Sequence, residues 1–307
     1  MELRKLEYFV TVVDERSFDK AAQKLFLTQS AVSQQIRRLE TEVGTLLIDR
    51  SARPFTLTAA GRSVYETAQS MLRQAQTLLR LSEHPKGFRS MVRVGVTRSL
   101  LFSFVTARIR EIRQELTGVH IELLRDSTNR LLADVVHGAH DIIITNTQSN
   151  DPRYVNDVIW NDPLVLAYNI HHAPPGADKG VVKVEDLLSR SVLTFSRGVA
   201  PANYDRMLGY FADLNITPLF REVPASYVEL LGYIRSGSTV GIIAKSVADV
   251  LPLLDVAYAE LQPTLPSLPV YCTWNPHTSK DAVADVASLL GDPGAVERLT
   301  AGPGSPS

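Results

Sequence analysis

By type and spacing, the residues best suited to chemistry fall first in the stretch Ser17–Gly44. Ser30, Ser33, Gln34, Arg37 and Thr41 recur at helical intervals and share one face. No carboxylate occurs from Gln29 through Arg37. A solvated helix face ordinarily mixes Glu with Lys. A face of hydroxyls, amides and one guanidinium suits phosphates and base edges. The bland alternative is a helical hairpin with a polar outer surface. On the DNA reading, Gln29, Ser33 and Gln34 meet base edges. Ser30, Arg37 and Arg53 then serve phosphates or the minor groove.

A second set lies where predicted strands end. Thr97-Arg98-Ser99 follows the first strand of an α/β pattern, Ser127-Thr128 the second and Thr145-Asn146-Thr147 the third. Phe195-Ser196-Arg197 follows a later one. Ligands of open α/β sheets bind beyond strand carboxyl ends, near helix N-termini. Hydroxyls, amides and helix ends together suit a small anion, typically a carboxylate, to which Arg98 and Arg197 add charge. The plain alternative is that Ser99 and Thr128 only cap their helices.

Other reactive residues read as inert. His171-His172 has no third metal ligand at a useful spacing. Cys272, the one cysteine, sits inside a strand pattern as a buried thiol would. There is no Gly-rich phosphate loop and no Gly-x-Ser-x-Gly elbow. No enzyme, metal or cofactor is expected.

Elements must position these groups. Leu3, Leu6, Phe9, Val10 and Val13 make a support helix. A second helix starts at Ser17 or Phe18, with Ala21 and Ala22 small enough for close crossing. Thr28 is placed to cap the third helix, Gly44 to end it, and Val32, Ile36, Leu39 and Val43 form its apolar stripe. Glu40 comes late, where the helix would leave the DNA. Leu46–Ile48 and Phe55–Leu57 read as a small hairpin with Arg50 and Arg53 near its tip. Thr58 then caps a long helix to Leu81 whose seam of Val64, Ala68, Met71, Ala75 and Leu78 has heptad spacing, which favours a dimer over packing on its own domain. Pro85 and Gly87 break the chain before strand-helix alternation begins at Val92. Helices are expected from Leu100 to Leu116, from Asn129 to His137 and from Tyr204 to Asn215, and the order implies parallel sheets in two units.

Composition agrees. The chain has 307 residues, 45% hydrophobic and 21% charged, which allows about two domains. No apolar run is long enough for a membrane span. The charged start Met1–Glu7 predicts no export, and one cysteine suits a reducing cytoplasm. Residues 1–90 carry 14 Lys and Arg against 10 Asp and Glu, the remainder 18 against 23. A basic front on an acidic body suits one end presented to nucleic acid.

Ala21-Ala22, Leu25, Gln29, Ser33, Ile36, Leu39-Glu40, Gly44, Leu46, Arg50, Leu57-Thr58 and Gly61 resemble the winged helix-turn-helix of LysR-type transcriptional regulators. Leu47-Ile48 departs from the usual Leu-Phe, Ser30 from a common Pro, and Gln34 from a common Arg. The last two fall on the reading face, so sequence preference is open to change. By family position Arg50 braces the wing. Architecture and the loose run Val94-Gly95-Val96 resemble the family's periplasmic-binding-protein-like effector domain. The resemblance implies a winged helix over residues 1–58, a linker and dimerisation helix over 59–81 and a hinge over 82–91. It implies an effector-binding domain over 92–290, with lobe I about 92–161 and 268–290 and lobe II about 162–267. The Gly/Pro/Ser-rich segment 291–307 is expected to be disordered. Effector contacts are implied at Thr97, Arg98, Ser99, Thr128, Asn146, Phe195 and Arg197. The implied partners are double-stranded promoter DNA, a small anionic effector and further copies of the chain, as a dimer within a homotetramer. The alternatives are a DNA-bound regulator without small-molecule input, and a solute-binding or catalytic α/β protein with an accessory DNA module.

Overall fold

The computed structural model describes residues 2–51, 55–81, 87–223 and 226–300. Arg53 and residues 82–86 of the hinge segment lie outside them. The chain divides into two compact units, residues 1–84 with 137–139 and the remainder.

The first unit is built from α1 (Leu3–Glu15), α2 (Phe18–Lys24), α3 (Gln29–Val43), β1 (Ile48–Asp49), β2 (Thr56–Leu57) and α4 (Ala59–Leu81). Ser17 caps α2 by accepting from the Lys20 N–H, and Thr28 caps α3 by accepting from the Ala31 N–H. Gly44 ends α3 at φ 79°, a conformation glycine adopts without strain. Leu6, Phe9, Val12, Ala21, Ala22, Val32, Ile36 and Leu39 form its core. β1 and β2 pair antiparallel, Ile48 opposite Leu57. Two expectations change here. Val43 lies on the apolar stripe yet is exposed, because α3 outruns the core there. The first half of α4 is not short of partners: Ala68 is buried, and Val64, Met71 and Leu72 pack on the core that α1 also lines. Farther along, Leu78 is 68% exposed.

The second unit holds two mixed sheets. Its elements begin with β3 (Ser90–Thr97), α5 (Phe104–Glu115), β4 (Val119–Asp126), α6 (Thr128–Val136), β5 (Ile142–Thr145) and β6 (Val155–Asp162). Then come β7 (Leu164–Asn169), β8 (Val181–Lys183), β9 (Ser191–Phe195), α7 (Pro201–Asp213), β10 (Leu219–Val223), α8 (Tyr227–Arg235), β11 (Val240–Ala244) and α9 (Lys245–Val250). The unit closes with β12 (Val256–Gln262), β13 (Leu268–Trp274), α10 (Asp281–Leu290) and α11 (Pro293–Thr300). The first sheet has the order β4-β3-β5-β13-β6 and the second β10-β9-β11-β7-β12-β8. β4, β3 and β5 are parallel, as the βαβαβ pattern implies, whereas β13 runs antiparallel to β5 and β6. Gly95 in β3 lets α6 approach: a Cβ there would lie 2.6 Å from Leu131 Cδ2 and 3.0 Å from the His140 ring.

Three sequence readings are corrected. The helix expected from Leu100 to Leu116 is interrupted. Ser99–Phe102 is a 3-10 turn, Ser103 is extended, and its hydroxyl accepts from the Val105 N–H to cap α5. The helix expected from Tyr204 begins three residues earlier, with Pro201 in its first turn. Within the segment expected to be disordered, Pro293–Thr300 is helical, with Ala295 and Val296 buried. Arg108, only 2% exposed, helps fasten this end: Nε donates to Leu289 O at 2.9 Å, and Nη1 meets Glu111 and Glu115 at 3.0 and 2.7 Å.

Candidate functional site

In the first unit, the amphipathic α3 buries Val32, Ile36 and Leu39 and leaves Gln29, Ser30, Gln34 and Arg37 exposed on the other side. Ser33 is half-buried and engaged: Arg50 Nη1 donates to its hydroxyl at 3.1 Å. The Arg50 guanidinium also lies 3.4 Å from Glu40 Oε2 and 5.3 Å from the centre of the Phe18 ring. Arg50 thus ties β1 to α2 and α3. The Ser33 hydroxyl proton remains available, because the hydroxyl only accepts from Arg50. Glu40, late in α3, turns inward. It is buried, and its Oε1 accepts from the N–H groups of Leu47 and Ile48 at 2.9 and 3.2 Å. A carboxylate fully engaged inside subtracts little from the donor character of the outer face.

In the second unit, Thr97, Arg98, Ser99, Thr128, Asn146 and Phe195 line one cavity of about 280 Å³. The fold explains the convergence. Thr97 ends β3, Ser99 opens the 3-10 turn, Thr128 opens α6, Asn146 follows β5 and Phe195 ends β9. Each therefore sits at a strand carboxyl end or a helix start, where open α/β sheets bind their ligands. The Thr97 and Ser99 hydroxyl oxygens are 3.5 Å apart. Asn146 Nδ2 donates to Pro269 O at 3.0 Å, which fixes its amide against β13. Arg197 is not among the lining residues. It is exposed and forms an ion pair with Asp205, Nε to Oδ1 2.8 Å, so its charge is held on the first turns of α7.

Among the lining residues that sequence reasoning missed are Asp162, Asn203 and Tyr227. Asp162 is 1% exposed and accepts from Ser246, at 3.2 Å from the N–H and 2.6 Å from the hydroxyl. Burial pushes its carboxyl up to about 6, against the pull of those two hydrogen bonds. Burial, and then Asp162, push the Tyr227 phenol up, so it stays protonated. The Tyr227 ring packs edge-on against Phe195 at 4.9 Å between centroids. The signal that would have found Asn203 is Pro201, a helix-starting residue that moves the N-terminus of α7 to the cavity.

The remaining candidates are structural. His171-His172 forms a surface 3-10 turn in which His171 Nε2 is 3.6 Å from Asp255. Cys272 is buried in β13 and its thiol is pushed up by that burial, away from a reactive thiolate.

A helix-turn-helix unit followed by two α/β sheets around a strand-end cavity defines the class of this protein, a DNA-binding transcriptional regulator. The family model described as "Bacterial regulatory helix-turn-helix protein, lysR family" matches residues 3–62, and that of the "LysR substrate binding domain" matches residues 85–292. The chain belongs to the LysR family. It is 29% identical over 276 residues to the regulator BenM of Acinetobacter baylyi, covering 88% of this chain and 89% of that protein. It is also 29% identical over 262 residues to AlsR of Bacillus subtilis, covering 85% and 86%. Among solved structures, full-length BenM matches with a TM-score of 0.60 at 27% identity over 99% of this chain and all of that one. CbnR, a LysR family regulator, has the same fold, with a TM-score of 0.71 at 22% identity over 94% and 98% of the two chains. Among the described residues no helix is long and apolar enough to cross a membrane.

Proposed function

We propose that this regulator works in the cytoplasm as an effector-gated DNA-binding protein and not as an enzyme. A small anionic organic acid enters the cavity of the second unit and changes how the first unit engages its promoter. The observation that carries this reading is the convergence of Ser99, Thr128, Thr97, Arg98, Asn146 and Phe195, from four separated stretches of chain, on one cavity. Hydroxyls, an amide and a guanidinium beside helix starts fit a carboxylate. Gln29, Ser33 and Gln34 are assigned to base edges, Ser30, Arg37 and Arg53 to phosphates or the minor groove. The exposed end of α4, including Leu78, is assigned to pairing with a second copy. Two such dimers make the working tetramer.

The experiment is selection of duplexes from a random DNA pool by the full chain, followed by footprinting with and without a panel of small carboxylates. A selected motif with a repeated half-site, and a footprint that shifts with one class of acid, is the expected result. Turnover of an acid would support the solute-binding or catalytic alternative. A footprint indifferent to every acid would support a regulator without small-molecule input.

A further inference from the structure

The cavity wall has two chemical sides. One side offers the Ser99 and Thr128 hydroxyls and the Arg98 guanidinium, all able to donate. The other side, from the second sheet and the end of β6, is rich in acceptors. Asp162 lines the cavity, and its carboxylate has four lone-pair positions, of which Ser246 occupies two. Asn203 also lines the cavity, and its buried Oδ1 has no hydrogen-bond partner among the described residues. The other carboxylate on the wall, Asp126, stands on the first side, where Arg98 lines the cavity and Arg130 offsets its charge. It accepts from the Ser127 N–H at 2.7 Å and lies 3.7 Å from Arg130.

An acid with nothing but its carboxylate satisfies only one of these sides. Its apolar end would cover Asp162 and Asn203 without supplying a donor, and a buried acceptor left unmet is costly. Turned round, it would set one carboxylate against another. Resting on the reading that the cavity holds a small anion, we infer that the effector is a bifunctional acid. Its carboxylate sits on the Ser99 and Thr128 side, and a hydroxyl or amino group donates to the Asp162 and Asn203 side. Asp162 and Asn203 are then the residues that determine specificity, while Ser99 and Thr128 determine that an anion binds at all.

The test uses the full chain and matched acids: propionate against lactate and β-alanine, and phenylacetate against 4-hydroxyphenylacetate. Dissociation constants are measured by calorimetry for the native protein, Asp162→Asn and Asn203→Ala. The expected result is that at least one hydroxyl- or amino-bearing acid binds about tenfold or more tighter than its plain parent. Asn203→Ala is expected to shrink that ratio, weakening the substituted acid more than its parent. Asp162→Asn should do the same. Equal binding of parents and substituted acids overturns the inference and leaves the anion reading standing. So does a ratio that neither variant changes. Binding by none of the acids overturns the anion reading and this inference with it.

Discussion

Ser246 donates both its backbone N–H and its hydroxyl to Asp162, at 3.2 and 2.6 Å. Asp162 ends β6, a strand of the first sheet, and Ser246 stands in the first turn of α9, which packs on the second. One buried carboxylate therefore joins the two sheets where the chain crosses between them, and lines the cavity as well.

That carboxylate gives the protein a pH signature. Its carboxyl lies at about 6 in the folded chain against an ordinary 3.8. Below about 4 it is protonated folded and unfolded alike and costs nothing. Between about 4 and 6 the folded state holds the extra proton, so stability falls as pH rises and the loss is complete above about 6. The span corresponds to ~3 kcal/mol. Asp162→Asn removes the titration. Urea unfolding of native and variant chains from pH 4 to 7 should show the variant gaining on the native protein as pH rises, and parallel curves would reject the assignment.

Glu40 is expected to matter for folding more than for DNA. Glu40→Ala leaves the N–H groups of Leu47 and Ile48 without their acceptor and Arg50 without its counter-charge. The expected loss is about 2–3 kcal/mol in the first unit. Glu40→Gln keeps one acceptor and should cost less. Chemical denaturation followed by circular dichroism distinguishes the two variants.

Arg37 is exposed on the α3 face. If it meets a phosphate, Arg37→Ala weakens binding to any duplex and flattens the dependence of log K on log salt by about 0.9 for each phosphate that the guanidinium neutralises. Titration of a mixed-sequence duplex at several salt concentrations measures this. An unchanged slope means that Arg37 meets no phosphate.

The last helix is part of the fold. Deleting residues 293–307 uncovers the core that Val296 helps close and the side of α5 against which α11 lies. Arg108→Ala would leave Leu289 O, Glu111 and Glu115 without their shared donor. Each change is expected to lower the unfolding midpoint by several degrees, and a truncated chain as stable as the full one would show that α11 contributes nothing.

Much of this architecture is legible in the sequence because it rests on local rules. Thr28 and Gly44 bracket α3 by capping chemistry, and the strand-helix alternation after Val92 puts Thr97, Ser99, Thr128, Asn146 and Phe195 at strand ends. The failures are non-local. Nothing in its spacing marks Glu40 as the acceptor for Leu47 and Ile48. Arg197 follows a strand end like the others, yet Asp205 takes it. Asp162 belongs to the cavity only because β6 and α9 meet there. The Gly/Pro/Ser content after Gly291 hides a helix whose start is a proline and whose packed face, among the described residues, is Ala295, Val296 and Leu299.

The central claim is that the cavity senses a small acid, and the most direct measurement is thermal unfolding of the full chain across a panel of carboxylates, other anions and neutral metabolites. A ligand at about 100 times its dissociation constant adds ~2.7 kcal/mol, enough to raise the midpoint by a few degrees. One class of acid is expected to do so, and Ser99→Ala and Thr128→Ala are each expected to abolish the rise. A rise that survives both substitutions, or a neutral metabolite that outperforms every acid, would contradict the claim.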